Sequence, residues 1–263
     1  MLVGAMNHPG RDVLEEIKEI ARQGFDYVDF THEPPKAFIS AREAVILKQK
    51  IHQMGYVNFQ FVGHTAFYLP IATVFPSLFK ASLEIFSSSI PILTTLGAKQ
   101  MTIHYDRGQT VTDPATRVER HISMIKSLYE YAPAGFDIVL ENSPKGKGQI
   151  KEFAEILSAV PIAGLHLDIA HAWVAGGMKE IEGFLELGQN GRLKHVHISE
   201  NDGSDDQHLP LGTGFKNTPP WPEIIKMLKS IGYDETITLE VFASDRRNRV
   251  HSMDLLHELW EAA

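Results

Sequence analysis

Six stretches of the chain end an apolar run with a histidine, aspartate or glutamate. The densest is HLDIAHAWVAGG, residues 166–177, in which Asp168 and His171 follow the apolar run VPIAGL. Buried imidazole and carboxylate groups are costly unless they are paired or bind a metal. The remaining candidates are His64, His104, Glu141, His197 and Glu240, together with Asp206 and His208 in the loop after His197. Converging carboxylates repel one another without a cation between them, so the whole set predicts a metal site.

The residue types limit which metal such a site would hold. The chain has no cysteine, so thiolate ligands and disulfides are both excluded, and only His, Asp and Glu remain. A set rich in histidine favours zinc, manganese or cobalt over magnesium. His166 and His195 each precede a candidate ligand by two residues, which places them on the same strand face one layer deeper. They are predicted to be buried supporting or packing residues.

The elements that must position these residues appear as an alternation along the chain. Short apolar runs typical of strands begin at residues 2, 25, 57, 99, 136, 162, 193 and 236. Amphipathic segments such as 12–24, 81–98 and 219–232 lie between them. Eight such repeats predict a closed (β/α)8 TIM barrel, with residues 1–263 as a single domain. An open doubly wound sheet would need a glycine-rich turn after its first strand, and GAMNHPG does not supply one. In a barrel of this kind, active sites form at the carboxyl ends of the strands, where the candidate ligands fall.

The composition of the chain limits the kinds of partner that the protein is expected to bind. The beginning of the chain lacks a signal-peptide pattern, and no apolar run reaches the length of a membrane span. A cytoplasmic protein without a membrane partner is therefore predicted. The formal charge of −8 argues against a large nucleic-acid footprint. Whether the chain forms a homo-oligomer stays open.

Taken together, seven motifs resemble those of the xylose isomerase-like barrel superfamily. They are GHTAFYLP, IHYD, LENSPKGKG, LDIAHAWVAG, HVHISEND, DQHLPLGTG and TLEVF. That superfamily includes sugar and sugar-phosphate isomerases and epimerases, and the endonuclease IV-related family. The epimerase resemblance implies one divalent metal, zinc or manganese, held by Glu141, Asp168, His197 and Glu240. The endonuclease resemblance implies up to three ions, whose further ligands here are His64, His104, His171, Asp206 and His208.

Loop composition separates the two branches. The loop after the second strand, THEPPKAF, has one lysine and no arginine for a DNA backbone, and the loop ENDGSDDQHLPLG is acidic. Phe67, Tyr68 and Leu69 fit a DNA wedge, a lid over a sugar or simple packing. Lys145 and Arg246 are further candidates for substrate binding, Arg246 through a substrate phosphate. Lys147 lies beside Lys145 but fits no motif for hydride transfer.

These features favour a metal-dependent sugar or sugar-phosphate isomerase or epimerase. The alternative is an endonuclease IV-like zinc phosphodiesterase acting on abasic DNA. In the favoured interpretation a divalent ion lowers the pKa of the proton next to a substrate carbonyl. The resemblance implies that Glu141 and Glu240 move this proton through an enediolate and that His171 contacts the developing oxyanion. A hydride shift stays open.

Overall fold

A computed structural model describes residues 1–146 and 148–263, so Lys147 lies outside the described residues. The strands are β1 (Leu2–Met6), β2 (Tyr27–His32), β3 (Gln60–Thr65), β4 (Gln100–His104), β5 (Asp137–Glu141), β6 (Gly164–Asp168), β7 (Leu193–Ile198) and β8 (Thr236–Leu239). The helices are α1 (Val13–Arg22), α2 (Ala41–Gln53), α3 (Pro76–Leu96), α4 (Pro114–Tyr129), α5 (Gln149–Ala159), α6 (Ile169–Gly176), α7 (Met178–Leu187), α8 (Trp221–Ser230) and α9 (Arg247–Ala262).

The eight strands form a closed parallel barrel in chain order, which confirms the predicted (β/α)8 fold. The register pairs Tyr27 with Gln60 between β2 and β3, and β1 closes on β8 with Leu2 beside Thr236. Every residue of β2 and β6 is buried. Burial along the whole strand is typical of parallel strands that are covered on both faces, which is why these runs read as apolar.

The chain divides into two compact units. The carboxyl-terminal unit consists of Met1–Ala5, Glu141–Ile150 and Leu165–Ala263, and the amino-terminal unit of Met6–Leu140 and Lys151–Gly164. In the carboxyl-terminal unit, Leu167, Phe184 and Ile237 are completely buried. Tyr27, Phe30 and Met101 are equally buried in the amino-terminal unit. Each unit therefore has its own apolar core, and the prediction of one domain over 1–263 stays a prediction.

Side-chain caps explain where several helices begin. Asp12, Ser40 and Asp113 each accept a hydrogen bond from the main-chain N–H three residues later, at the first turns of α1, α2 and α4. Such bonds satisfy N–H groups that have no partner inside the helix. In the part of the chain that the structure describes, none of the helices has both the length and the hydropathy needed to cross a membrane.

Helix α3 begins earlier than the sequence pattern predicts. The pattern predicts a helix over 81–98, whereas α3 runs from Pro76 to Leu96 and is followed by Gly97 with φ of 106°. Its N-cap, Phe75, makes no side-chain cap, so the usual Ser, Thr or Asp signal is absent. Pro76 in the first turn is the remaining signal, because proline is favoured there.

Gly63 allows β3 and α3 to lie close together directly before His64. A Cβ at residue 63 would lie 2.5 Å from Cδ1 of Leu93 and 2.7 Å from the main-chain oxygen of Gln100. The oxygen belongs to the backbone of β4, so the contact cannot be relieved by a rotamer change alone.

We expect Gly63→Ala to lower the free energy of unfolding by about 1–3 kcal/mol, the usual cost of overpacking. The control is Gly10→Ala, whose new methyl would contact only the side chain of His8. Chemical denaturation of both variants measures the difference. Equal stability of the two variants would contradict the close packing of residue 63 against Leu93 and Gln100.

Candidate metal centre

Four of the predicted ligands come together in the carboxyl-terminal unit. Glu141 and Asp168 end β5 and β6, His197 lies in β7, and Glu240 directly follows β8. One ligand atom from each of the four lies within 4.8 Å of all the others. Nδ1 of His197 is 2.9 Å from Oε2 of Glu240 and 3.9 Å from Oδ2 of Asp168. The structure therefore gathers the set that the epimerase resemblance implies.

Strand register places Asp168 and His197 at one level, and Glu240 follows two residues beyond Thr238, the partner of His197 on β8. Asp168 pairs with His197 between β6 and β7, and the N–H of Glu240 donates to the carbonyl of Ile198 at 3.1 Å. Asp168 is also the N-cap of α6, where its Oδ1 accepts from the N–H of His171 at 2.7 Å. Its other oxygen, Oδ2, is buried and has no hydrogen-bond partner among residues 1–146 and 148–263. That oxygen is held in place and available to a cation.

The charges in this cluster conflict. Burial raises the pKa of Asp168 to about 7. The neighbouring carboxylates of Glu240, Asp206 and Glu141 also raise this pKa, whereas His171 lowers it. Burial also raises the pKa of Glu240, but His208 and His197 outweigh it and bring that pKa below its ordinary value. Adjacent buried carboxylates cannot all be ionised at low cost unless a positive charge lies between them.

Beside these four, His171, Asp206 and His208 form a second group in the same unit. Oδ2 of Asp206 is 3.0 Å from Nε2 of His171 and 3.0 Å from Nε2 of His208. Burial acts to raise the pKa of Asp206, but the hydrogen bonds from both histidines hold that pKa well below its ordinary value. Burial alone would lower the pKa of His208, yet Glu240 and Asp206 raise it to about 9.

The loop that carries Asp206 and His208 is fixed at both ends. Glu200 and Leu209 exchange main-chain hydrogen bonds at 2.8 and 2.9 Å, which closes the loop. His208 adopts a φ of 49°, in the left-handed region, and its carbonyl accepts from the N–H of Phe242 at 3.2 Å. These main-chain bonds place the side chain of His208 next to Glu240, with Nδ1 3.8 Å from Oε2 of Glu240.

His166 and His195 are both completely buried, as predicted. Nδ1 of His166 is 3.4 Å from Oε2 of Glu141. His195 is held by hydroxyl groups, with Nδ1 2.7 Å from Thr236 and Nε2 3.2 Å from Thr238. Both histidines therefore lie beneath the four-residue cluster and support it.

His64 and His104 belong to the amino-terminal unit. Their Nε2 atoms are 2.9 Å apart, and Nδ1 of His64 is 3.8 Å from Oδ1 of Asp29. The ring of Phe67 lies 6.3 Å from that of His104. Phe67 and Tyr68 are 72% and 56% exposed, so these two side chains are not core packing.

The other predicted substrate-binding residues lie at surface positions. Lys145 is exposed in the segment after β5. Arg246, half-buried, is the N-cap of α9, and its neighbour Arg247 pairs with Asp245 at 2.5 Å. Their predicted roles stay predictions, as does that of Tyr68.

Sequence reasoning missed two buried asparagines in the carboxyl-terminal unit. Asn142 directly follows Glu141, and Asn201 lies in the loop after β7, where its Nδ2 donates to the carbonyl of Ala170 at 3.1 Å. The only available signal was an amide placed immediately after a strand-end carboxylate, in LEN at 140–142.

The four-residue set fits a divalent cation. Zinc ligands lie about 2.0–2.2 Å from the ion, so two donors to the same ion are at most about 4–4.4 Å apart. The spacing within 4.8 Å approaches this value, and the orphaned Oδ2 of Asp168 supplies an anionic donor. Three carboxylates with one imidazole suit manganese or zinc.

The family assignment follows from the sequence match. The model of the family described as xylose isomerase-like TIM barrel matches residues 17–259. The chain belongs to this family. Among curated relatives, the uncharacterized protein MJ1311 of Methanocaldococcus jannaschii is 33% identical over 153 residues. That match covers 55% of this chain, and the chain spans about half the length of the relative, 50%.

Solved structures share the complete architecture. A D-tagatose 3-epimerase-like protein superposes with a TM-score of 0.83 at 24% identity, covering 100% of this chain and 98% of the other. D-psicose 3-epimerase with D-tagatose, from Clostridium cellulolyticum H10, gives a TM-score of 0.76 at 17% identity and 99% coverage of both chains. At these identities, the likeness shows the fold.

We expect Mn²⁺ or Zn²⁺ to stabilise the chelator-treated protein, because a cation relieves repulsion among Glu141, Asp168 and Glu240. Metal at 100 times its Kd adds about 2.7 kcal/mol, and each kcal/mol raises the Tm of a chain of this size by about 2–4 °C. Differential scanning calorimetry should therefore show a rise of about 5–10 °C. The same rise in Asp168→Asn would place the ion elsewhere.

Proposed function

We propose that the protein is a divalent-metal-dependent sugar or sugar-phosphate isomerase or epimerase that acts by proton transfer. The observation that carries the proposal is the convergence of Glu141, Asp168, His197 and Glu240 within 4.8 Å. The barrel architecture that it shares with sugar 3-epimerases supports the same interpretation.

The four residues would hold the ion. A divalent cation bound there supplies Lewis-acid chemistry, which acidifies the proton next to a substrate carbonyl. The histidines beside Glu240 keep the pKa of its carboxyl below the ordinary value, so it is ionised at neutral pH and able to accept a proton. Glu141 is the second carboxylate of the set and is the candidate for the opposite face of the reacting carbon.

The proton transfer uses the substrate, these two side chains and protons from solvent. Glu240 accepts the proton from the carbon next to the carbonyl, and the electron pair of that C–H bond forms the enediolate. Glu141 in its protonated form gives its proton to the other face, which inverts the carbon and gives the epimer, and exchange with solvent then restores both carboxyl groups. Return of the proton by Glu240 to the neighbouring carbon, with the hydroxyl proton passing from one enediolate oxygen to the other, gives the isomer.

His171 is the candidate residue that stabilises the developing oxyanion through its positive charge, because both of its ring nitrogens already donate to protein oxygens. Its Nδ1 donates to the main-chain oxygen of Asn142 at 2.8 Å, which fixes the ring plane. Burial opposes protonation, but Asp168 and Asp206 raise the pKa of His171 well above its ordinary value. A cationic imidazole in a buried site stabilises negative charge as it develops.

A second candidate function is metal-dependent phosphodiester cleavage. The grouping of His171, Asp206 and His208 at 3.0 Å favours it, because this group offers donors beyond those one ion needs. Opposing it, the loop that carries Asp206 is acidic, and Arg247 is occupied by Asp245. An acidic surface disfavours a phosphate backbone, so the sugar reaction ranks first.

We expect Glu240→Gln to reduce kcat about 10²–10⁴-fold, because the variant loses a general base while packing is preserved. The assay follows exchange of carbon-bound protons in D₂O by NMR, with Mn²⁺-loaded protein and a panel of ketoses. Glu235→Gln, an exposed change just before β8, is the matched control and should keep wild-type rates. If Glu240→Gln exchanged protons as fast as the wild type, Glu240 would not be the base.

The two functions are separated by a DNA substrate. Zinc-loaded wild-type protein is expected to leave a duplex with a single abasic site uncut, with alkali treatment verifying that the site is present. Cleavage of that duplex, combined with no proton exchange in any ketose, would replace the isomerase proposal with the phosphodiesterase.

A further inference from the structure

Asn142 bonds to the main chain of a candidate ligand on the neighbouring strand. Its side chain is 1% exposed, and it directly follows Glu141 at the end of β5. Nδ2 donates to the carbonyl of Asp168 at 2.9 Å, and Oδ1 accepts from the N–H of Asp168 at 2.8 Å. This reciprocal pair ties the end of β5 to the end of β6 at the two residues that carry carboxylates.

The main chain of Asn142 makes a third bond. Its carbonyl accepts from Nδ1 of His171 at 2.8 Å, so Nε2 of that ring turns toward Asp206 and lies 3.0 Å from it. Three groups of the candidate centre therefore depend on one residue: the carboxylates of Glu141 and Asp168 and the ring of His171.

The chemistry of the amide explains why asparagine suits this position. A carboxamide presents one donor and one acceptor side by side, as a peptide group does. Aspartate would offer no donor, and its charge would face the carbonyl of Asp168. A buried amide is costly unless both ends are bonded, and here both are.

Asn201 makes a different use of the same side chain. Its Nδ2 donates to Ala170 and its Oδ1 accepts from the N–H of Gly203 at 2.9 Å, so it joins a loop to α6. It bonds to no main-chain group of Asp168. The arrangement at Asn142 is therefore specific to the pair of ligand-bearing strand ends.

We propose that Asn142 is a positioning residue whose side chain sets the spacing of Glu141 and Asp168 for a divalent cation. The inference rests on the proposed metal centre but not on the identity of the sugar. Groups that orient metal ligands typically contribute 10–100-fold to metal affinity.

The test measures metal binding to chelator-treated protein by calorimetric titration with Mn²⁺. Asn142→Ala removes both side-chain bonds. Asn142→Leu removes them while it keeps the branching and the number of heavy atoms of the side chain, so it covers the case in which a cavity prevents folding. Asn217→Ala is the control, since it also loses one bond from a side-chain amide to a main-chain carbonyl, that of Asp202 at 2.9 Å, on an exposed loop.

We expect both Asn142 variants to keep their circular dichroism, to bind Mn²⁺ about 10–100-fold more weakly and to show an altered visible spectrum when loaded with Co²⁺. Asn217→Ala should bind as the wild type does. Lower thermal stability of the Asn142 variants with unchanged affinity and an unchanged Co²⁺ spectrum would show a purely structural role and overturn the proposal.

The outcomes separate this inference from the proposed function. Wild-type protein that binds no Mn²⁺ or Co²⁺ would defeat the metal centre and this inference with it. Wild-type protein that binds metal but exchanges no protons in ketoses would defeat only the proposed reaction. In that case, the affinities of the Asn142 variants would still decide the positioning role.

Discussion

Three carboxylates share one buried space in the carboxyl-terminal unit, and this electrostatic constraint governs the residues around them. Glu141, Asp168 and Glu240 each offer an oxygen to the same small volume, with His197 the only imidazole of the set. Buried like charges are unfavourable unless a cation or a proton compensates them. Burial and the neighbouring carboxylates raise the pKa of Asp168, so binding a proton there is one way to relieve the repulsion. A divalent ion is the other solution, and it leaves all three oxygens available as ligands.

The barrel is the scaffold that brings these carboxylates close together. Parallel strands end on one side of the sheet, so residues at successive strand ends become neighbours without any long loop between them. Main-chain register then sets the level of each side chain, as the pairing of Asp168 with His197 shows. Beneath this cluster, hydroxyl groups of Thr236 and Thr238 bond to both nitrogens of His195 and fix the orientation of its ring.

Sequence patterns predicted what depends on local chain composition. Each strand of the barrel needs an apolar run, and the polar residue that ends the run identifies the side facing the site, so Glu141, Asp168 and Glu240 could be named in advance. The beginning of α3 could not, because Phe75 provides no capping side chain. Asn142 was missed for a different reason. An asparagine after a strand is ordinary in a turn, and only the distances to Asp168 distinguish a ligand support from a turn residue. The substrate leaves no local signature at all.

The backbone at His208 limits how this loop can change over time. A φ of 49° is reached readily by glycine, and by asparagine or aspartate at modest cost, while β-branched residues are strongly disfavoured. Histidine is itself among the few non-glycine residues that are enriched in this region, together with asparagine and aspartate. Related chains that lose this histidine can replace it with few other residues, and the most accessible are aspartate, asparagine and glycine. Each of these replacements would remove the imidazole, and with it the positive charge beside Glu240. A substitution at this one loop position could therefore change the chemistry of the barrel.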